Sequence, residues 1–156
     1  MLPLVLAAAT LTRPDPQLTR LIGTWHVTSQ QLSRAKPSIS HATIVCNASP
    51  NGGAFVVCDI RGENGQQTLA VYTRDPATGK YWYGEFSPSR DPYRNSLTIK
   101  GNDWTYSGSY TSGGKTIEFR TVNHFEGNTE TFESYYSDDL SHAWRAISKG
   151  TATRGP

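Results

Sequence analysis

Hydrophobic and polar residues alternate along most of this chain, in short runs that are separated by turn-forming clusters. The clusters are rich in Gly, Pro, Asn and Asp, and nine of them recur every 11 to 15 residues between positions 37 and 139. Turns at this spacing are typical of short strands joined by hairpins. No segment between them is long enough for the crossover helix that parallel strands require. The pattern therefore predicts about ten antiparallel strands in a meander.

The alternation also assigns a face to each residue of the C-terminal strands. In segment 103–112, Trp104, Tyr106, Gly108 and Tyr110 share one face. A two-residue turn at 127–128 would join the next two strands so that their apolar faces coincide. The opposed pairs would be Phe119 and Tyr136, Thr121 and Ser134, Asn123 and Phe132, and Phe125 and Glu130.

Residues 15–22 predict one short helix before the first strand. Asp15 suits the N-cap, Pro16 the first helical position, Leu18 and Leu21 the buried face, and Gly23 the end. Ten strands in an open sheet would leave two exposed edges, and closure into a barrel removes them. The expected fold is all-β, an antiparallel up-and-down barrel with one short N-terminal helix. A β-sandwich is the structural alternative.

Cys46 and Cys58 flank a turn centred on residue 52, so a hairpin that closes there sets them directly opposite each other. The same register places Ile44 and Ile60 beside them on one apolar face. Opposed residues of an antiparallel pair lie within disulfide reach. We expect a cross-strand disulfide if the protein is exported, with two buried free thiols as the alternative. No His stands at zinc-ligand spacing from either Cys, so no metal site is expected.

Composition and charge exclude several classes of protein. The chain has 156 residues, of which 18% are charged, and a net charge of +2, which is not the basic footprint of a nucleic-acid-binding protein. No apolar run reaches the roughly 18 residues of a membrane span. Residues 1–9 form a short apolar run that ends in small residues, as at the end of a secretory signal.

We therefore expect a leader at 1–14, a single domain at 15–154, and a periplasmic or secreted location. No Lys or Arg precedes the apolar run, and the alternative is an N-terminal segment that is retained.

Three segments resemble a known group of proteins. Leu21-Ile22-Gly23-Thr24-Trp25 resembles the Gly-x-Trp start of the calycin superfamily, which includes the lipocalins and fatty-acid-binding proteins. The turn at 75–80, Asp-Pro-Ala-Thr-Gly-Lys, and the stretch at 137–144 are similar to those of bacterial exported lipocalin-like domains of unknown function. The resemblance covers roughly residues 15–154. It implies a fold and no established activity.

The resemblance also implies a structural role for three residues. In calycins the Trp of the first strand, here Trp25 after Gly23, plugs one end of the barrel. A late Arg commonly packs on its indole in a cation–π contact. Arg154 and Arg145 are both candidates for that position, and Arg154 is favoured because it lies past the last strand.

The inward face of such a barrel is the candidate ligand site. Aromatic side chains mixed with a few polar groups are the usual lining of a small-molecule pocket. The inward face of strand 79–87 is ambiguous, because Tyr81 and Tyr83 are as aromatic as Trp82. A closed core filled by the same side chains is the alternative. The predicted ligand-binding residues are Trp82, Trp104, Tyr106, Tyr110, Phe119, Thr121, Asn123, Phe132, Ser134 and Tyr136.

The expected function is an exported protein that binds a small apolar or aromatic molecule, as a monomer or homodimer, without a cofactor. The chain has neither a Gly-x-Ser-x-Gly motif nor a phosphate-binding Gly-rich loop. Glu130 is the one catalytic candidate, since its register turns it inward near a barrel mouth, with a solvated rim residue as the alternative. An enzymatic alternative is a cofactor-free lyase, isomerase or cyclase that uses the same cavity. A third is an interaction module with a filled core.

Overall fold

The fold is a sheet of ten strands preceded by one helical turn, as seen in a computed structural model that describes residues 15–32, 36–49, 54–88, 90–137 and 143–156. The predicted leader at 1–14 and the turn at 50–53 lie outside the described residues. The strands are β1 Gly23–Gln31, β2 Ser38–Ala48, β3 Phe55–Gly62, β4 Gln67–Arg74, β5 Tyr81–Ser87, β6 Arg90–Lys100, β7 Asp103–Ser112, β8 Lys115–Glu126, β9 Thr129–Ser137 and β10 Arg145–Arg154.

The sheet closes on itself. Each strand pairs antiparallel with the next along the chain, and β10 completes the ring by pairing with β1. That closing pair sets Trp25 opposite Arg154 at one end and Gln31 opposite Ser148 at the other. Every strand therefore has two partners, which excludes the two-layer sandwich. The predicted fold class, an antiparallel up-and-down barrel of ten strands, is confirmed.

The β8–β9 hairpin has the register that the sequence predicts. Gly127 takes a left-handed φ of 57° in the turn, a conformation that glycine adopts without strain. The cross-strand pairs are Phe119 and Tyr136, Thr121 and Ser134, Asn123 and Phe132, and Phe125 and Glu130.

The N-terminal helix is shorter than predicted. It is a single 3₁₀ turn at Leu18–Leu21, and the backbone is already extended at Ile22. The Asp15 carboxylate accepts a hydrogen bond from the backbone N–H of Gln17 at 2.9 Å. So short a helix gains little from its own hydrogen bonds, and packing holds it instead. Leu18 is fully buried, so the turn covers one end of the barrel.

A plug of interlocking side chains closes that end. The Trp25 indole N–H donates to the Leu21 carbonyl at 2.8 Å. The Arg154 guanidinium lies 4.6 Å from the centre of the indole and also donates to the Arg20 carbonyl. Gly23 has a φ of 130°, and a Cβ there would lie 3.4 Å from Cδ of Arg154. Arg154, rather than Arg145, thus joins the end of the chain to the start of β1.

A disulfide links β2 to β3. Cys46 and Cys58 are directly opposed and bonded, with their Cα atoms 4.0 Å apart. Ile44 opposes Ile60 in the same register, as the apolar pattern predicts. Both cysteines are buried, at 2% and 1% exposure. The bond therefore belongs to the barrel wall.

Removal of this disulfide should destabilise the barrel. The double variant Cys46→Ala, Cys58→Ala is expected to lose about 2–4 kcal/mol of unfolding free energy, because the unfolded chain gains the freedom of an open loop. Urea unfolding at neutral pH measures the difference. Maleimide labelling of unfolded wild-type protein should require prior reduction, and full labelling without reductant would show that the bond is absent.

Candidate functional site

The barrel encloses a cavity between the Trp25 plug and its opposite end. Its volume is about 980 Å³. Small-molecule sites commonly measure roughly 300–1,000 Å³, so the space is large enough for a ligand of drug size. The interior is therefore not filled by its own side chains, contrary to the alternative of a closed core.

Eight of the ten predicted ligand-binding residues line this cavity. They come from the inward faces of β7, β8 and β9, the three strands whose alternation is clearest in the sequence. The eight are Tyr106, Tyr110, Phe119, Thr121, Asn123, Phe132, Ser134 and Tyr136.

Trp82 does not line the cavity. The inward residues of β5 are Tyr83 and Glu85, and Trp82 faces outward. There the Arg94 guanidinium lies 3.7 Å from the centre of its ring, in a cation–π contact. The prediction was wrong because both faces of this strand are aromatic, so alternation gives no direction.

Trp104 points inward but lies in the plug rather than in the lining. It is fully buried, and its ring centre is 4.9 Å from that of Phe125. Phe125 in turn meets Trp25 edge-on at 6.0 Å. These three rings fill the closed end of the barrel and form the floor beneath the cavity, and Trp25 is the one of the three that lines the cavity itself.

Two tyrosines that the sequence analysis does not predict as ligand-binding, Tyr72 and Tyr83, form a cluster with the predicted Tyr106 on one wall of the cavity. The ring centres of Tyr72 and Tyr83 are 5.0 Å apart, as are those of Tyr83 and Tyr106, and Tyr72 meets Tyr106 at 6.2 Å. Tyr72 alternates along β4 with Val71 and Thr73, which leaves no strong polar contrast to mark its face. The cluster extends the aromatic lining onto β4 and β5.

The polar side chains predicted to orient a ligand already form some hydrogen bonds within the protein. The hydroxyls of Thr121 and Ser134 hydrogen bond across β8 and β9 at 2.9 Å. One of the two must donate, which leaves the other hydroxyl hydrogen available to a ligand. The Asn123 amide donates to the Trp104 carbonyl at 3.4 Å, so this side chain also fixes the floor.

Glu130 lies deep in the cavity rather than near its mouth. Its cross-strand partners are Phe125 on β8, which belongs to the floor, and Ala152 on β10. The 127–128 turn is at the plugged end of the barrel, where the backbone N–H of Arg154 donates to the Asn128 carbonyl at 2.8 Å. Glu130, two residues past the turn, is therefore also at that end. The side chain faces the cavity and is partly buried, and the surrounding barrel desolvates its carboxyl.

The carboxyl of Glu130 has an unusual proton affinity. Desolvation raises its pKa from 4.5 to about 7, and no hydrogen bond or charge from the described residues opposes the shift. A substantial fraction of the groups is therefore protonated at neutral pH. Groups with such values in a cavity are candidates for binding or proton transfer.

The neighbouring tyrosines keep their protons. Burial raises the pKa of Tyr72 and of Tyr106 well above the ordinary value of 10.0, and the charge of Glu130 adds to both shifts. Their hydroxyls therefore act as donors and acceptors of hydrogen bonds at every physiological pH. The deep part of the cavity thus combines one carboxyl, two hydroxyls and aromatic rings.

Comparisons with known proteins show the fold and no family. No protein-family model matches the chain, and no curated protein matches it. Among solved structures, that of Rv2717c from M. tuberculosis is similar, with a TM-score of 0.62 and 12% sequence identity. The match covers 92% of this chain and 99% of that one. At this identity the likeness shows a shared barrel architecture alone.

The described residues lack the features of a metal site and of a membrane-spanning helix. They contain no group of three or more His, Cys, Asp or Glu side chains that could hold a metal ion. In the same part of the chain, no helix is long and apolar enough to span a membrane.

The raised pKa of Glu130 predicts a pH-dependent stability. A folded-state pKa of about 7, against 4.5 when unfolded, gives a contribution that is complete below pH 4.5 and lost as pH rises through 7. Glu130→Gln mimics the protonated form. It should match the wild type near pH 4.5 and exceed its unfolding free energy by at most about 3 kcal/mol near pH 8.

Urea unfolding across this pH range tests the prediction. Glu133→Gln is the matched control, because it removes the same charge from the exposed face of β9. If the unfolding free energies of the wild type and Glu130→Gln differ by the same amount at pH 4.5 and pH 8, the raised pKa of Glu130 is contradicted.

Proposed function

We propose that this protein is a lipocalin-like barrel of the calycin type that binds a small apolar or aromatic molecule in its interior. The observation that carries the proposal is the cavity of about 980 Å³, lined by aromatic rings above an aromatic floor. Its apolar walls would supply most of the binding free energy, since burial of apolar surface yields roughly 25 cal/mol per Å². The Thr121 and Ser134 hydroxyls would orient the ligand.

The proposal includes export to the periplasm or beyond the cell. The disulfide between Cys46 and Cys58 supports it, because such bonds persist in oxidising compartments. Residues 1–14 would then be the leader and residues 15–154 the binding domain. The protein would act as a monomer or homodimer.

The second candidate function is enzymatic. A carboxyl with a pKa of about 7 suits a general base at neutral pH, and Glu130 has that value. The hydroxyl of Tyr106, which retains its proton, would donate a hydrogen bond to the substrate. The reaction class would be a cofactor-free lyase, isomerase or cyclase. Recovery of a cavity ligand in chemically altered form, lost in Glu130→Gln, would favour it over simple binding.

Binding of an uncharged fluorescent probe tests the main proposal. N-phenyl-1-naphthylamine should gain fluorescence on entering the barrel, with a Kd in the micromolar range. Thr121→Trp places a large ring in the cavity and should weaken binding by about tenfold or more, a loss of about 1.4 kcal/mol. Fluorescence titration measures both affinities.

The matched control is Val122→Trp, one residue along β8. Val122 lies on the outer face and is 37% exposed, so its replacement leaves the cavity unchanged. Equal weakening by the two variants, or none by Thr121→Trp, would show that the probe binds elsewhere and would refute the proposed site.

A further inference from the structure

We propose that the molecule this cavity accepts is an organic cation, an amine with an apolar or aromatic body whose ammonium group pairs with the carboxylate of Glu130. The inference rests on the proposed binding function and names its ligand class. Beyond an apolar or aromatic body, the ligand would carry a positive charge, because the carboxylate of Glu130 lies at the deep end of the cavity.

The charged side chains that line the cavity are acidic. The described residues that face the cavity include two carboxylates, Glu85 and Glu130, and no Lys, Arg or His. An anionic ligand such as a fatty acid would meet like charges and find no cationic partner. A positive ligand would meet the opposite charge of Glu130 in a region of low dielectric, where their attraction is strong.

Among the described residues, Glu130 has no hydrogen-bond or ion-pair partner. Burial acts on this carboxyl unopposed, since neither a hydrogen bond nor a cation from the described residues compensates it. A buried carboxylate without such a partner is costly. An ammonium group that enters the cavity would supply both the charge and the hydrogen bonds.

An aromatic wall lies near the carboxyl of Glu130. Tyr72 and Tyr106 both lie within the electrostatic influence of Glu130, so the carboxylate and the tyrosine cluster belong to one region. The faces of aromatic rings attract cations, most strongly where water is excluded. The hydroxyls of the two tyrosines add hydrogen-bond acceptors. Carboxylate and rings together form a complementary site for an amine.

Binding of a cation should be coupled to the release of a proton. The ligand binds the ionised form of Glu130, which is the minor form below neutral pH. The ionisable groups on other strands that feel the charge of Glu130 are Tyr72 on β4 and Tyr106 on β7, and Glu85 on β5 also acts on Tyr72. The strands β8 and β10 place Phe125 and Ala152 beside Glu130. The two tyrosines do not titrate in this range. Glu85 is therefore the other group to be tested.

Three probes that share a naphthalene ring test the ligand class. They are 1-naphthylmethylamine, 1-naphthalenemethanol and 1-naphthoate, measured by isothermal titration calorimetry near pH 8. The amine should bind about tenfold or more tightly than the alcohol, and the carboxylate should bind most weakly. In Glu130→Gln the amine and the alcohol should differ by less than about twofold, whereas Glu85→Gln should retain the preference.

The pH dependence provides a second readout on the wild-type protein. Between about pH 8 and pH 5, affinity for the amine should fall by tenfold or more, while affinity for the alcohol should stay constant. Calorimetric titrations near pH 7 in buffers of different ionisation enthalpy should show that binding of the amine releases protons and that binding of the alcohol does not. Because this readout uses only the wild-type protein, it tests the cation inference even where a variant fails to fold.

Each contrary result has a distinct meaning. Equal binding of alcohol and amine would overturn the cation inference and leave the proposed binding function intact. Binding of none of the three probes would overturn both. A preference for the amine that survives Glu130→Gln, or that is lost in Glu85→Gln instead, would overturn the role of Glu130. Absence of proton release near pH 7 would do the same.

Discussion

The pairing of the first strand with the last is the constraint on which the rest of this structure depends. β1 meets β10 along its length, and Trp25 opposes Arg154 where the chain both enters and leaves the barrel. The cation–π contact between these two residues fixes the closed end of the ring. Closure removes both sheet edges and obliges alternate residues of every strand to face one interior.

The alternation determines which side chains fill that interior, and Glu130 conflicts most clearly with its apolar character. Aromatic rings on β4, β5 and β7 to β9 supply the apolar surface that a barrel interior requires. Glu130 does not, because its carboxyl is desolvated without compensation from the described residues. Residues whose polarity does not suit their position in a fold, such as a carboxyl in an apolar interior, are expected at functional sites. This conflict supports a role for Glu130 beyond stability, whether in ligand binding or in proton transfer.

The sequence was most informative where its two faces differ clearly. The β8–β9 register and the opposition of Cys46 to Cys58 could be predicted, because polar and apolar residues alternate without ambiguity there. The inward face of β5 could not, since Trp82 and Tyr83 are both aromatic and only the neighbouring strands decide between them. Periodicity orients a side chain only where a polar residue marks the opposite face.

Depth along the barrel axis was the other quantity that the sequence could not supply. Alternation placed Glu130 on the inward face but gave no indication of which end of the barrel it occupies. That depends on the direction of the 127–128 turn relative to the plug, a relation between distant parts of the chain. Trp104 shows the same effect, as it faces inward but is part of the floor. Whether an inward-facing residue lines the cavity or belongs to the plug is therefore decided by contacts between distant parts of the chain, and the local pattern does not show it.

The central claim is that the barrel holds a desolvated carboxyl inside an apolar cavity. The most direct measurement is a ¹³C NMR titration of the Glu130 side-chain carboxyl, assigned by comparison with Glu130→Gln. The structure predicts a midpoint of about 7. A midpoint near 4.5, the ordinary value for a glutamate in water, would show that the group is solvated and would contradict this account.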